Sequence, residues 1–187
     1  SYMPYFISLV VICAMIKTFV AGDGLIGGAV NSLLGTKGSL LDRPNCFVPI
    51  YIISNIWQGV GWDSIIYVAA LSGVSMELYE AAEIDGCGRW NKMRYVSLPG
   101  IATTIIIMFI LKVGGMLSVG YEKIILLYNP LTYETADVIN SYVYRKGIQE
   151  FNYSCSTAVG LFNSVVNFLL LIIANSVSKK VSDTGIM

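Results

Sequence analysis

The chain contains no histidine. That removes the commonest general base, proton shuttle and metal ligand together. Charge is also scarce: 13% of residues are charged, against about a quarter in an ordinary soluble domain. Formal net charge is zero, so no global field points to nucleic acid or to a strongly charged partner. The four cysteines, Cys13, Cys46, Cys87 and Cys155, form no C-x-x-C pair. Cys13 lies in an apolar run and reads as a small buried hydrophobe, and spacing alone gives no ground for a Cys46–Cys155 disulfide. There is no internal repeat, no low-complexity tract, and no basic leader with an A-x-A site before the first apolar run. Asn152-Tyr153-Ser154 fits a glycosylation sequon, a pattern short enough to arise by chance. No cofactor or metal site is expected.

What is abundant is apolar surface. Hydrophobic residues make up 55% of the chain and mean hydropathy is +0.66. A soluble domain cannot expose that much apolar area, so the bilayer is the better solvent. Four segments have the roughly 20-residue length of a membrane helix: residues 3–21, 49–74, 99–117 and 158–177. The expected fold is therefore an all-α integral membrane domain. Between the spans lie three connections. Residues 22–46 read as a Gly- and Asn-rich loop with a short interfacial helix around Ala29–Leu34. Residues 75–98 carry seven charges and read as two short helices, and residues 118–157 hold six tyrosines and the turn signal Asn129-Pro130.

Charge bias does not settle orientation. With 75–98 inside, the inner side carries Arg89, Lys92, Arg94, Lys179 and Lys180, and the outer side Lys37, Arg43, Lys123, Arg145 and Lys146. The counts tie under the positive-inside rule. Lys179 and Lys180 directly after the last span favour that end inside.

The loop 75–98 holds the clearest pattern. Ser75 suits an N-cap and Glu77 the first turn, where the helix dipole favours an acid. Leu78, Ala81 and Ala82 share one face, while Glu77, Glu80 and Glu83 form an acidic stripe. Gly86 supplies the left-handed residue that ends the helix. A basic stretch follows, with Arg89, Lys92 and Arg94 around Trp90. Pro99 falls in the first turn of the next span, where its missing N–H costs nothing. Physical chemistry alone reads this either as a charged, solvated loop or as a knuckle built to dock into a partner's groove.

Glu80-Ala81-Ala82, then Gly86, then Val96-x-Leu98-Pro99 resembles the EAA signature of binding-protein-dependent ATP-binding-cassette importer permeases, with Val96 where the family has isoleucine. The stretches Tyr67-Val-Ala-Ala-Leu71 and Tyr79-Glu-Ala-Ala-Glu-Ile-Asp-Gly86 look like the carbohydrate-uptake branch. Leu126-Leu-Tyr-Asn-Pro130, Ala136-Asp-Val-Ile139, Tyr142-Val-Tyr-Arg145 and Thr157-Ala-Val-Gly-Leu-Phe162 resemble its oligosaccharide (LplB-like, aldouronate-type) permeases. The resemblance implies a bacterial plasma-membrane subunit without chemistry of its own. Glu80, Ala81, Ala82, Asp85, Gly86, Leu98 and Pro99 would form the coupling element seated on a cytoplasmic ATP-binding subunit. A second permease subunit and an external solute-binding lipoprotein are the further implied partners, and an oligosaccharide the cargo. Family members have six spans, so the four seen here are expected to be part of a six-helix core lacking its first two.

Polar groups at membrane depth are functional candidates. Trp57, Gln58, Trp62 and Asp63 offer flat rings with polar neighbours, as a sugar site requires, although an interface belt or helix contact explains them equally. Asn163 and Asn167, one turn apart, either line a path or bond across helices. Glu122 and the nearby tyrosines fit an outer mouth or an interfacial aromatic belt. Lys17 and Lys112 lie near segment ends and can snorkel. A permease for another solute, such as amino acids or peptides, is the alternative within transport. A polytopic membrane enzyme would need a nucleophile and base, an aspartate pair or a metal cluster, and Asp63 is the only aspartate in an expected span.

Overall fold

The computed structural model describes residues 2–117 and 120–181, with side chains as far as Lys179. Every regular element among them is helical: α1 (Met3–Phe6), α2 (Leu9–Val20), α3 (Leu25–Leu34), α4 (Pro44–Ser72), α5 (Met76–Ile84), α6 (Arg89–Lys92), α7 (Leu98–Gly100), α8 (Ala102–Gly114), α9 (Tyr121–Leu127), α10 (Tyr133–Ala136), α11 (Ile139–Tyr144) and α12 (Tyr153–Val181). Helix is the form in which a segment in hydrocarbon satisfies its own backbone. Two helical stretches, Leu9–Leu34 and Tyr153–Lys179, are each long and apolar enough to cross a membrane. Two bent pairs, Pro44–Ser72 with Met76–Ile84 (71°) and Arg89–Gly100 with Ala102–Gly114 (64°), raise the number of spans to as many as four.

Several boundaries move from the sequence expectation, for identifiable reasons. The first span, expected from residue 3, is interrupted after Phe6 and resumes at Leu9. The second starts at Pro44 rather than residue 49. Pro44 takes the first helical position, where its missing N–H costs nothing, and Pro49 lies inside the helix five residues on, where it cannot donate to the Asn45 carbonyl. The third is not continuous over 99–117: it breaks at Ile101 and ends at Gly114. The fourth begins at Tyr153 instead of residue 158, because Asn152 Oδ1 accepts a hydrogen bond from the Cys155 N–H at 3.2 Å and caps the helix. The sequon asparagine thus has a local structural use. The interfacial helix is longer than Ala29–Leu34 and starts at Leu25. Within 118–157, Ser118 and Val119 lie outside the described residues, and the remainder is largely helical. All four cysteines are free.

The chain divides into two compact units, Ser1–Gly61 with Leu117–Ser164, and Trp62–Met116 with Val165–Met187. The first has a core of Cys13, Val20, Leu40, Leu41, Phe47, Ile124, Leu127 and Ala136. Asn31 pins its 22–43 connection, donating to Gly38 O at 2.9 Å and accepting from Arg43 at 2.8 Å. Asn129 donates to Asp42 at 2.8 Å and so ties the turn before α10 to the one before α4. In the second unit, a Cβ on Gly114 would come within 2.9 Å of Leu171, which shows how closely α8 and α12 approach there.

A charged aromatic cluster organises residues 128–145. Arg145 donates to Asp137 at 2.5 Å, Ser141 Oγ bonds the same carboxylate, and the guanidinium lies 5.0 Å from the Tyr133 ring centroid. Burial alone would raise the Asp137 carboxyl, but the bonds from Arg145 and Ser141 hold it below the usual carboxylate range. A depressed carboxyl stabilises the fold above its unfolded pKa of about 4, and that contribution is lost as pH falls through the lower folded value. We expect Asp137→Asn to lower thermal stability at neutral pH by about 1–3 kcal/mol, leaving Arg145 without its anion. The variant should also show a flatter decline in melting temperature than the parent below about pH 4. Thermal unfolding of the detergent-solubilised protein across pH measures both.

Candidate functional site

The loop between α4 and α8 folds in the second unit as two short helices, of which α5 is capped at both ends. Ser75 Oγ accepts from the Glu77 N–H at 3.3 Å and starts α5. At the other end Gly86 adopts φ +75°, and the N–H groups of Gly86 and Cys87 donate to Glu83 O at 3.0 Å and Ala82 O at 2.9 Å. These bonds satisfy carbonyls that the helix end would leave open, and only the left-handed conformation at Gly86 permits them. The chain then turns into α6, passes through a π-helical turn at Met93–Ser97, and enters α7 with Pro99 in its first turn.

Two cross-links hold the second arm against the first: an ion pair between Lys92 and Glu83, and a 2.9 Å hydrogen bond between Tyr79 and Ser97. Gly100 lies close to Val74, where an added Cβ would meet a methyl at 2.8 Å. Ala82 is buried, whereas Glu80, Ala81, Asp85 and Leu98 are exposed. Of the acidic stripe, Glu83 is therefore engaged within the loop. The outward surface carries Ile84, 88% exposed, and Trp90, 79% exposed. Large apolar side chains held out on a rigid frame between charged residues are what a docking element presents.

The expected path residues divide between the two units. In the first, Gln58 Oε1 and Asn55 Oδ1 accept hydrogen bonds from Lys123 at 3.3 and 2.9 Å. Trp57 lines an apolar groove with Ile12, Phe19, Ile26 and Ile53, a surface suited to lipid or another helix. Asn163 is buried and donates to Asn140 at 2.9 Å, while its own Oδ1 has no partner among the described atoms. Glu122 is exposed in the first turn of α9. In the second unit, Asp63 pairs with Lys112 at 3.2 Å, their side chains 48% and 67% exposed. Both lie about 15 Å along their helices from the ends nearest the loop. Lys112 is also two residues from the Gly114 end of α8, where a lysine can reach a polar boundary. Trp62 is partly exposed beside it in sequence, and Asn167 lies on the second-unit part of α12. Among the described residues no group of His, Cys, Asp or Glu is arranged to hold a metal ion.

The profile of the family described as the binding-protein-dependent transport system inner membrane component matches residues 1–183. This chain belongs to that family. The inner-membrane component is 40% identical over 186 residues to Protein LplB of Bacillus subtilis (strain 168), covering 99% of this chain and 58% of LplB. It is 38% identical over 189 residues to the polygalacturonan/rhamnogalacturonan transport system permease protein YteP of the same organism, with the same two coverages. A solved bacterial ABC transporter involved in the import of the acidic polysaccharide alginate superposes with a TM-score of 0.92 at 41% identity, over 97% of this chain and 64% of that one. The alginate transporter in complex with an alginate pentasaccharide-bound periplasmic protein gives 0.93 at 42% identity, over 99% and 65%. The chain spans about 60% of the length of these relatives. The family is one of transport components, not of enzymes.

For this inner-membrane component, sequence reasoning missed Lys123, Asn55 and Asn140, and it took Lys112 only as a snorkelling residue. The available signal was Lys123 leading straight into Ile124-Ile-Leu-Leu127, a charge at the edge of an apolar turn. The geometry of the loop gives a direct test. Gly86→Ala has room for its methyl group but must hold φ +75°, a cost of about 1 kcal/mol. We expect faster amide hydrogen exchange at the end of α5 in this variant, with exchange in α8 unchanged.

Proposed function

We propose that this chain forms the membrane-crossing part of an ATP-driven importer of oligosaccharides, acidic ones in particular, and that residues 75–98 are its coupling element on the cytoplasmic side. The observation that carries this reading is the loop itself: a capped knuckle braced by Lys92–Glu83 and Tyr79–Ser97, with Ile84 and Trp90 held outward. Glu80, Ala81, Ala82, Asp85, Gly86, Leu98 and Pro99 supply its exposed acid, its small-residue face, its turn and its junction with the membrane helix. A cytoplasmic ATP-binding subunit receives it. When two such subunits close on ATP, the braced loop transmits their displacement as a rigid body, and the spans rock between inward- and outward-facing states.

A second permease subunit completes the path, and an external solute-binding lipoprotein delivers the sugar to the side bearing 22–46 and 118–157. Gln58, Trp62, Asp63, Asn163, Asn167 and Glu122, with Trp57 at the margin, are the residues assigned to the route. The substrates for which these relatives are named, polygalacturonan, rhamnogalacturonan and alginate, support a cargo that carries carboxylates. The exposed Asp63–Lys112 pair, with Lys112 near the end of α8, supports a polar boundary there.

The test uses the full-length permease pair assembled with its ATP-binding subunits in proteoliposomes, with the binding protein present. Gly86→Asp should leave assembly intact and reduce sugar-stimulated ATP hydrolysis and uptake together by about tenfold or more. Normal coupling in an assembled Gly86→Asp complex would remove the coupling role from this loop.

A further inference from the structure

The two arms of the knuckle pair in an antiparallel register: Glu83 meets Lys92, Tyr79 meets Ser97, and Val74 meets Gly100. The first two ties are polar and lie out along the arms. Lys92 reaches its partner on a flexible four-carbon stem that can follow a small shift. The third tie is apolar and lies at the base. A Cβ on Gly100 would sit 2.8 and 3.2 Å from the two Val74 methyls, so the Gly100 backbone rests directly against both. Valine is β-branched and stiff about χ1, and it yields less readily than a longer side chain.

Both arms bend where this contact is made. The helix pair α4 and α5 bends by 71°, and Arg89–Gly100 meets α8 at 64°. Val74 lies inside the first break. Its N–H closes the last turn of α4 on Leu71 O at 3.2 Å, and the helix restarts after the Ser75 cap. Gly100 immediately precedes the second break at Ile101, whose φ of −107° and ψ of 10° leave helical values. Each bend alone is a joint that opens under a push on the tip and absorbs it. Pinned to one another at the same level, neither bend opens without displacing the other.

We propose that the Val74–Gly100 contact is the fulcrum of the coupling element, the positioning pair that makes the knuckle and the α8 span move as one body. This rests on the importer reading above and adds to it the place through which a displacement of the loop reaches the membrane. The geometry of the contact supplies its own control. A Cβ on Gly100 lies 3.7 Å from the Val74 Cβ, an ordinary van der Waals distance. Val74→Ala therefore empties the contact, Gly100→Ala overfills it, and the double variant remakes it with the bulk moved to the other side. A contact that only fills space shows this recovery in melting temperature alone. A fulcrum shows it in transmission.

The experiment uses the full-length permease pair with its ATP-binding subunits and binding protein in proteoliposomes. Spin labels at Glu77 and Leu111, both exposed, measure the distance from α5 to α8 before and after trapping with ATP and vanadate. Uptake of trigalacturonate per ATP hydrolysed is the second readout. In the parent the distance should stay within about 2 Å on trapping. Val74→Ala should let it change by more than that and lose about fivefold or more in uptake per ATP. Gly100→Ala should do the same where it assembles, and the double variant should restore both readouts. Val74→Ala and the double variant decide the matter by themselves if Gly100→Ala fails to assemble. A parental distance response in Val74→Ala overturns the proposal, and so does a double variant no better than Val74→Ala. A parent distance that itself changes by more also overturns it and leaves the importer reading standing. A parent that carries no trigalacturonate contradicts the acidic cargo, and the distances then decide the fulcrum. One that binds no ATP-binding subunit sinks the importer reading, and the fulcrum with it.

Discussion

Hydrocarbon offers no hydrogen bonds, and most of what this chain does follows from that constraint. Its segments are helices because only a helix satisfies its own backbone within one segment. Where side chains must be polar at membrane depth, they occur bonded: Asp63 with Lys112, Asn163 with Asn140, and Lys123 with Asn55 and Gln58. The departures from full satisfaction then become informative. Asn163 Oδ1 is buried without a partner among the described atoms, and Lys123 is buried against two neutral amides. Each is a place where the described residues leave a bond for something else to make.

The loop between α4 and α8 obeys the opposite constraint, since it must be stable without a hydrophobic core beneath it. It achieves this through local devices: a serine cap, a left-handed glycine with two carbonyl-satisfying N–H groups, an ion pair and a hydroxyl bridge. None of these uses Ile84 or Trp90, which are left available for a partner. A rigid element that spends its polar groups internally and its apolar groups externally is suited to transmit a push. In the proposed mechanism this is how the local geometry of Gly86 would bear on alternating access.

How legible this was from sequence depended on the range of the interaction. The capped loop could be read almost residue by residue, because Ser75, Glu77, Gly86 and Pro99 act through neighbours within a turn or two. Its internal pairing was harder: Glu83 belonged to an acidic stripe on paper, yet Lys92 engages it from the second arm. Helix starts shifted where two signals competed, as at Pro44 and Pro49, or where weak helix formers followed a real cap, as at Asn152. The polar clusters were least legible. Lys123 and Gln58 are 65 residues apart and Lys112 and Asp63 49 apart, so periodicity carries no trace of either pairing. Gln58 and Asp63 stood out as individual polar positions, but which lysine each would meet depended on tertiary packing.

The central claim is that the knuckle at 75–98 is the point of contact with the energy-supplying subunit. It is tested most directly by placing a photo-crosslinking phenylalanine analogue at Ile84 or at Trp90 in the assembled transporter, with Leu131 as the comparison position. The account predicts a crosslink from positions 84 and 90 to the ATP-binding subunit, altered in yield when ATP closes that subunit, and none from 131. Crosslinks from 84 and 90 that go only to lipid, or that reach the ATP-binding subunit no more than those from 131, would contradict it.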